Sequence, residues 1–190
     1  MEEKGAAAVA ASGEPGAAAA AAEEEAAMKV VVAVDASEES LRALAWALDN
    51  VIGRRRAGGV SVVVLHAQHG ADHFVYPVAA HGIGLAVAYA PTSAIESMRK
   101  AQEEISRKVV SRALDVCKQR EVNAMGAIVE GDAKEAICQA VEEMHADMLV
   151  LGSRGLGKIK RAFLGSVSDY LVHHACCPVL VVKPTKPHDK

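Results

Sequence analysis

The chain has 190 residues, a formal net charge of −3 and 51% hydrophobic residues, many of them alanine. That length carries one domain with a proper core and some additional chain. The charge excludes a nucleic-acid-binding polycation, and no apolar run reaches the ~18–20 residues that cross a bilayer.

Residues 1–27, "MEEKGAAAVAASGEPGAAAAAAEEEAA", lack the bulky aliphatic side chains that offset the entropy of ordering, and are predicted to be a disordered tail. The tail is acid-rich and arginine-free, the reverse of a transit peptide. With no secretory leader recognisable, the expectation is a cytoplasmic protein, with nuclear entry left open. The four cysteines, Cys117, Cys138, Cys176 and Cys177, form no C-x-x-C pair and read as small core residues in a reducing compartment. The adjacent pair Cys176 and Cys177 raises redox sensitivity without demanding it.

From Met28 the chain alternates between two patterns. "MKVVVAVD" is a β-branched run of the kind buried on both faces of a parallel sheet. "SEESLRALAWALDNVI" follows as a helix: Ser37 is an N-cap, Glu38 and Glu39 suit the positive helix start, and Leu41, Leu44, Ala45 and Leu48 line one face. Trp46 reads as packing. "GVSVVVLHA" is a second buried strand. A long loop is expected over Gln68–Pro91, whose apolar part is interrupted by Pro77, His81, Gly82 and Gly84. "TSAIESMRKAQEEISRKVVSRALDVCKQR" reads as a long helix capped by Thr92 or Ser93. "AMGAIVE" is a third strand, "GDAKEAICQAVEEMHA" a helix opened by Asp132, "DMLVLG" a fourth strand, Gly165–Ala175 a helix and "CPVLVVK" a fifth strand. The fold class is therefore α/β, a doubly wound parallel sheet with right-handed crossovers, which binds ligands outside the carboxyl ends of its strands where the strand order reverses. Asp35 at the end of strand one and Gly152 at the end of strand four mark that place.

"GSRGLGKIKRAFLGSVSDYL" starts there. Glycines let a backbone turn sharply and approach a ligand closely. The amides and dipole of the helix opening at Ser166 make an anion site. Ser166 and Ser168 add hydroxyl donors, and Arg154, Lys158, Lys160 and Arg161 add positive charge. The chemistry asks for a phosphate; a structural glycine-rich turn with a solvated basic face is the other reading. The spacing is neither G-x-G-x-x-G nor G-x-x-x-x-G-K-[ST].

Gly152, Gly155, Gly165 and Ser166 stand in the spacing G-x2-G-x9-G-[ST]. With "VAVDASEESLRALAWALDN", "VLHA", "GDAKEAI", "LVLGSRGLGKIKRAFLGSVSDYL" and "CPVLVVK" in order, the chain from Met28 to about Lys183 closely resembles the universal stress protein family in its plant-type, single-domain form. The resemblance implies a domain over 28–183, a flexible tail over 184–190, a five-stranded sheet of order 3-2-1-4-5 with helices on both faces, binding of ATP or AMP (Mg2+ accompanying ATP), and a homodimer through the last strand, Val179–Val182. Residue by residue, Asp35 matches the family's pocket carboxylate, with Ala33 and Val34 beside it at the adenine edge. Ala67 matches the position against adenine, and Gly131 a glycine near the ribose. Leu151 and Gly152 lie under base and ribose, and Arg154 and Gly155 in the loop around the phosphates. Gly165, Ser166, Val167 and Ser168 match the phosphate cradle. Ala36 stands where many plant members carry a larger polar residue, and the Gln68–Pro91 insert is variable in the family.

Each candidate has a plainer rival. Asp35 also suits a helix cap, and His66 a satisfied core histidine. His69, His73 and His81 lack ligand spacing, and the adjacent His173 and His174 face different ways on a helix, so no metal site is expected. The function expected is a nucleotide-binding regulatory or protective factor of the stress response that works with unidentified signalling proteins, without nucleic acid or membrane. The alternative is a slow ATPase or nucleotide-dependent transferase, for which no nucleophile–base pair, paired carboxylates or P-loop lysine is visible. A member that does not bind ATP is a third reading, which the intact glycine set argues against.

Overall fold

A computed structural model describes residues 28–53, 59–69, 75–79, 85–89, 92–154 and 164–183. Both expected tails, Gly155, the cations Lys158, Lys160 and Arg161, and His73 and His81 lie outside the described residues. The strands are β1 (Met28–Ala33), β2 (Val60–Gln68), β3 (Val75–Ala79), β4 (Leu85–Tyr89), β5 (Ala124–Glu130), β6 (Met148–Gly152) and β7 (Val179–Val182). The α-helices are α1 (Glu38–Ala47), α2 (Thr92–Lys118), α3 (Ala133–Glu143) and α4 (Ser166–His174).

Five strands form a parallel sheet in the order β5-β2-β1-β6-β7, which is the expected 3-2-1-4-5. Alternation along each strand divides the core in two. Val30, Val32, Val62, Val64 and Val150 face Leu41, Leu44 and Ala47 of α1 and Val109, Ala113 and Cys117 of α2. Val31, Ala33, Val63, Leu65, Leu149 and Leu151 face Ile137, Ala140 and Val141 of α3 and Leu171 of α4. Both faces are thus covered by helices, which is why these strands read as unbroken apolar runs instead of alternating ones.

Local chemistry accounts for the helix starts. Ser37 caps α1, its Oγ accepting from the Ser40 N–H at 3.2 Å. Asp132 caps α3, its carboxylate accepting from the Lys134 N–H at 3.0 Å. Three details differ from expectation. Thr92 and Ser93 both lie inside α2 instead of capping it. Within the expected loop, β3 and β4 pair as an antiparallel hairpin, Val75 opposite Tyr89 and Pro77 opposite Val87; a two-stranded sheet has only edge strands, where proline is tolerated. Trp46 is 38% exposed, because α1 buries Ser40, Leu41, Ala43, Leu44 and Ala47 and turns Trp46 to the outer side. After α1 the chain makes a π-helical turn over Leu48–Ile52.

Candidate functional site

The chain leaves β1 towards β2 and β5, then returns to place β6 on the other side of β1. The crevice at this reversal lies over the carboxyl ends of β1 and β6. On the β1 side, the Val34 N–H donates to the Leu65 carbonyl at 2.8 Å, carrying the β1–β2 ladder one residue further. The buried His66 ring lies with Nδ1 2.8 Å from the Val34 carbonyl. A carbonyl only accepts, so Nδ1 carries the proton and the imidazole fixes the turn out of β1. The structure therefore gives His66 its plainer role.

Asp35 stands in that turn, half-buried. Its Oδ1 accepts from the Ser37 N–H at 3.0 Å and the Ser37 hydroxyl at 2.5 Å. Its own N–H donates to Ser40 Oγ at 3.2 Å, and the Ser40 hydroxyl lies 3.0 Å from the Asp35 and Ser37 carbonyls. One carboxylate oxygen is thus engaged in holding the start of α1, while Oδ2 has no partner among the described residues. Asp35 thus shapes the start of α1, the plainer of its two readings.

On the β6 side, a Cβ at Gly152 would come within 3.2 Å of the Arg154 carbonyl oxygen and 3.4 Å of the Glu39 carbonyl oxygen. Glycine lets the strand end and the helix start approach this closely without displacing either backbone. The Ser153 N–H donates to the Val182 carbonyl at 2.9 Å, and the Gly165 N–H to the Ser153 carbonyl at 2.8 Å. The two ends of the glycine-rich loop are clasped together, with its middle, Gly155 included, outside the described residues. Gly165 is the N-cap of α4 and offers no capping side chain; the first amide to bond back within the helix is that of Asp169, to the Gly165 carbonyl at 2.8 Å. The amides of Ser166, Val167 and Ser168 are the donors that a helix start leaves for a ligand. The Ser168 hydroxyl is buried and donates to the Gly152 carbonyl at 2.9 Å, so it ties α4 to β6 and does not serve as a free donor. The Ser166 side chain is exposed.

The far wall is the end of β2 and β5. The Gly131 N–H donates to the Gln68 carbonyl at 2.9 Å, and Gly131 has φ +138°, a conformation that needs glycine. Ala33, Val34 and Leu151 are buried beneath the crevice, and Ala67 is half-buried. One further group was not singled out in the sequence. Gln68 Oε1 is buried and accepts no hydrogen bond among the described residues. A glutamine closing the apolar run of β2 was the available signal. Such an acceptor is costly unless a donor reaches it. A separate depression of about 270 Å³ runs along the outer side of α1, lined by Trp46, Arg42, Asp49, Val182 and Lys183 among others. It lacks the open helix start and close backbone approach of the crevice.

A family model described as "Universal stress protein family" matches residues 26–183. The chain is 34% identical over 170 residues to Universal stress protein PHOS34 of Arabidopsis thaliana, a match covering 82% of this chain and 61% of that protein. It is 30% identical over 164 residues to the Universal stress protein A-like protein of Arabidopsis thaliana, covering 82% and 89%. Among solved structures, it is similar to a universal stress protein family protein from Arabidopsis thaliana with AMP bound, with 26% identity, TM-score 0.56, and coverage of 85% of this chain and 97% of that one. The fold also matches a universal stress protein from Lactobacillus plantarum, at TM-score 0.61 and 21% identity, covering 82% and 97%.

Proposed function

The chain belongs to the universal stress protein family, and from that premise we propose that it binds an adenine nucleotide, ATP or AMP, over the carboxyl ends of β1 and β6. In this reading nucleotide occupancy makes the protein a regulatory or protective factor of the stress response. It acts in the cytoplasm through signalling proteins yet to be identified.

One observation carries the reading: the uncapped start of α4 beside the clasped ends of the glycine-rich loop. Free amides and the positive end of a helix dipole favour an anion. In this arrangement Gly165, Ser166, Val167 and the Ser168 amide hold the phosphates, together with Arg154 and Gly155. Gly152 and Leu151 pass beneath base and ribose, Ala67 and the edge at Ala33 and Val34 line the adenine, and Asp35 Oδ2 and Gly131 meet the ribose. The orphaned Gln68 Oε1 suits the same ligand, whose amine and hydroxyls are donors. Mg2+ enters only with ATP.

The test is calorimetric titration of the full chain with ATP and with AMP, beside the double variant Gly155→Val, Gly165→Val. A Cβ at Gly165 would lie 3.4 Å from Arg154 Cα and 3.5 Å from the Ser153 carbonyl oxygen, in ordinary contact, and circular dichroism reports whether the fold takes the larger valines. Affinity should vanish while circular dichroism is unchanged. Equal affinity in the double variant and the wild type contradicts the reading.

A further inference from the structure

The opposite end of the sheet gathers three of the four thiols. Cys176 and Cys177 form the turn between α4 and β7, and Cys138 lies on α3, which packs against α4. Cys138 and Cys177 pack on the same buried cluster, that of Leu149 and Ala146, with Ala175 and Met144 beside them. The turn is fixed at both sides: the Ala175 N–H donates to the Leu171 carbonyl at 3.0 Å, and the Leu149 N–H to the Pro178 carbonyl at 3.0 Å. Cys176 is the exposed member, and Cys138 and Cys177 are half-buried. The fourth cysteine, Cys117, belongs to the core on the other face of the sheet.

Burial foremost, then charge on Cys176, pushes the Cys138 thiol up. Burial, then Cys176, raises Cys177, against a smaller opposing effect of the Leu149 N–H. Cys176 is the exposed sulfur of the three and the one that an oxidant in solution meets first. Cys138 shares its buried cluster with Cys177, the chain neighbour of Cys176, so a second thiol stands beside the turn to condense with a sulfenic acid formed there.

We propose that Cys138, Cys176 and Cys177 form a peroxide-sensitive thiol site, in which hydrogen peroxide couples Cys176 to Cys138 as a reversible disulfide. The Cys176 thiolate attacks one peroxide oxygen, the O–O bond breaks, and the departing hydroxide takes up the thiol proton as water, leaving Cys176 as the sulfenic acid. Cys138 then attacks that sulfur. The S–S bond forms, the S–O bond breaks, and the oxygen leaves as a second water carrying the Cys138 proton. Peroxide is reduced and two thiols are oxidised. Cys138 is the resolving partner, because joining Cys176 to its neighbour Cys177 closes a ring through a single peptide, far from relaxed disulfide geometry. The product ties α3 to the segment that enters β7, and it does not depend on the nucleotide reading.

The experiment treats reduced full-length protein with hydrogen peroxide, blocks remaining thiols with N-ethylmaleimide, and maps the peptides by mass spectrometry. The wild type should lose two hydrogens, keep two of its four thiols open to the reagent, and yield one intramolecular link between the Cys138 peptide and the Cys176–Cys177 peptide. Dithiothreitol should reverse it. Cys177→Ser should retain the link. Cys176→Ser should lose it, and Cys138→Ser should lose it while leaving a dimedone-reactive sulfenic acid at Cys176. A link that persists in Cys176→Ser, one confined to Cys176 and Cys177, one between two chains, or no disulfide at all overturns the proposal.

Discussion

Single residues decide how tightly the sheet is covered. Gly126 lies in β5 under α2, where a Cβ would sit 2.5 Å from Val110 Cγ1 and 3.2 Å from Leu114 Cδ1. Gly126→Ala should therefore lower stability by ~1–3 kcal/mol through overpacking, read as a lower denaturant midpoint; an unchanged midpoint means that α2 shifts freely. Burial pushes the Cys117 thiol from 9.0 up to about 11. The folded state then holds that proton more tightly than the unfolded chain, so stability is full below pH 9 and falls as pH rises through about 11. The fall should be shallower in Cys117→Ala, measured by urea unfolding across that window, and equal slopes contradict it. Ser168 marks a limit of the sequence at this scale. A hydroxyl beside a glycine-rich loop reads as a donor to phosphate, yet only the fold reveals that the Gly152 carbonyl lies within its reach.

At the scale of elements, β-branched runs and capping residues were legible because their physics is local. "MKVVVAVD" and "DMLVLG" announce strands buried on both faces, and Ser37 and Asp132 announce helix starts. Ser37→Ala should cost ~0.5–2 kcal/mol, the usual worth of an N-cap. Its hydroxyl both accepts from the Ser40 N–H and donates to Asp35, so the variant should also weaken nucleotide binding by freeing the carboxylate. Unfolding curves together with titration check this, and a loss of stability with untouched affinity separates Asp35 from the site. The hairpin β3–β4 was not legible, since a proline within a strand and flanking glycines are local signals for a loop. Nor was the outward face of Trp46, which depends on where α1 meets the sheet.

At the scale of the whole molecule, β7 is the edge strand of the sheet, bonded among the described residues to β6 alone, and its four residues are half-buried. An apolar edge with unpaired backbone groups invites a second copy. We expect a two-fold homodimer through Val179–Val182 by analytical ultracentrifugation, and a monomer in Val181→Lys; a wild type that sediments as a monomer contradicts it. The alternation of elements made a parallel, doubly wound sheet readable, and its strand order followed from the resemblance to the family, whereas the partner of an edge strand is written in no single chain. If occupancy is the signal, hydrolysis should be far slower than the ~1–100 s⁻¹ of kinases, because the place proposed for Asp35 is at the ribose, away from the γ-phosphate. A steady-state rate near ~1 s⁻¹ that disappears in Asp35→Ala would move the protein into the enzymes. The central claim is nucleotide binding itself, and native mass spectrometry of the gently purified protein tests it most directly. The account predicts a species heavier than the bare chain by one AMP or ATP per protomer, which reverts to the bare chain on denaturation. A bare chain alone, before and after incubation with saturating ATP or AMP, contradicts it.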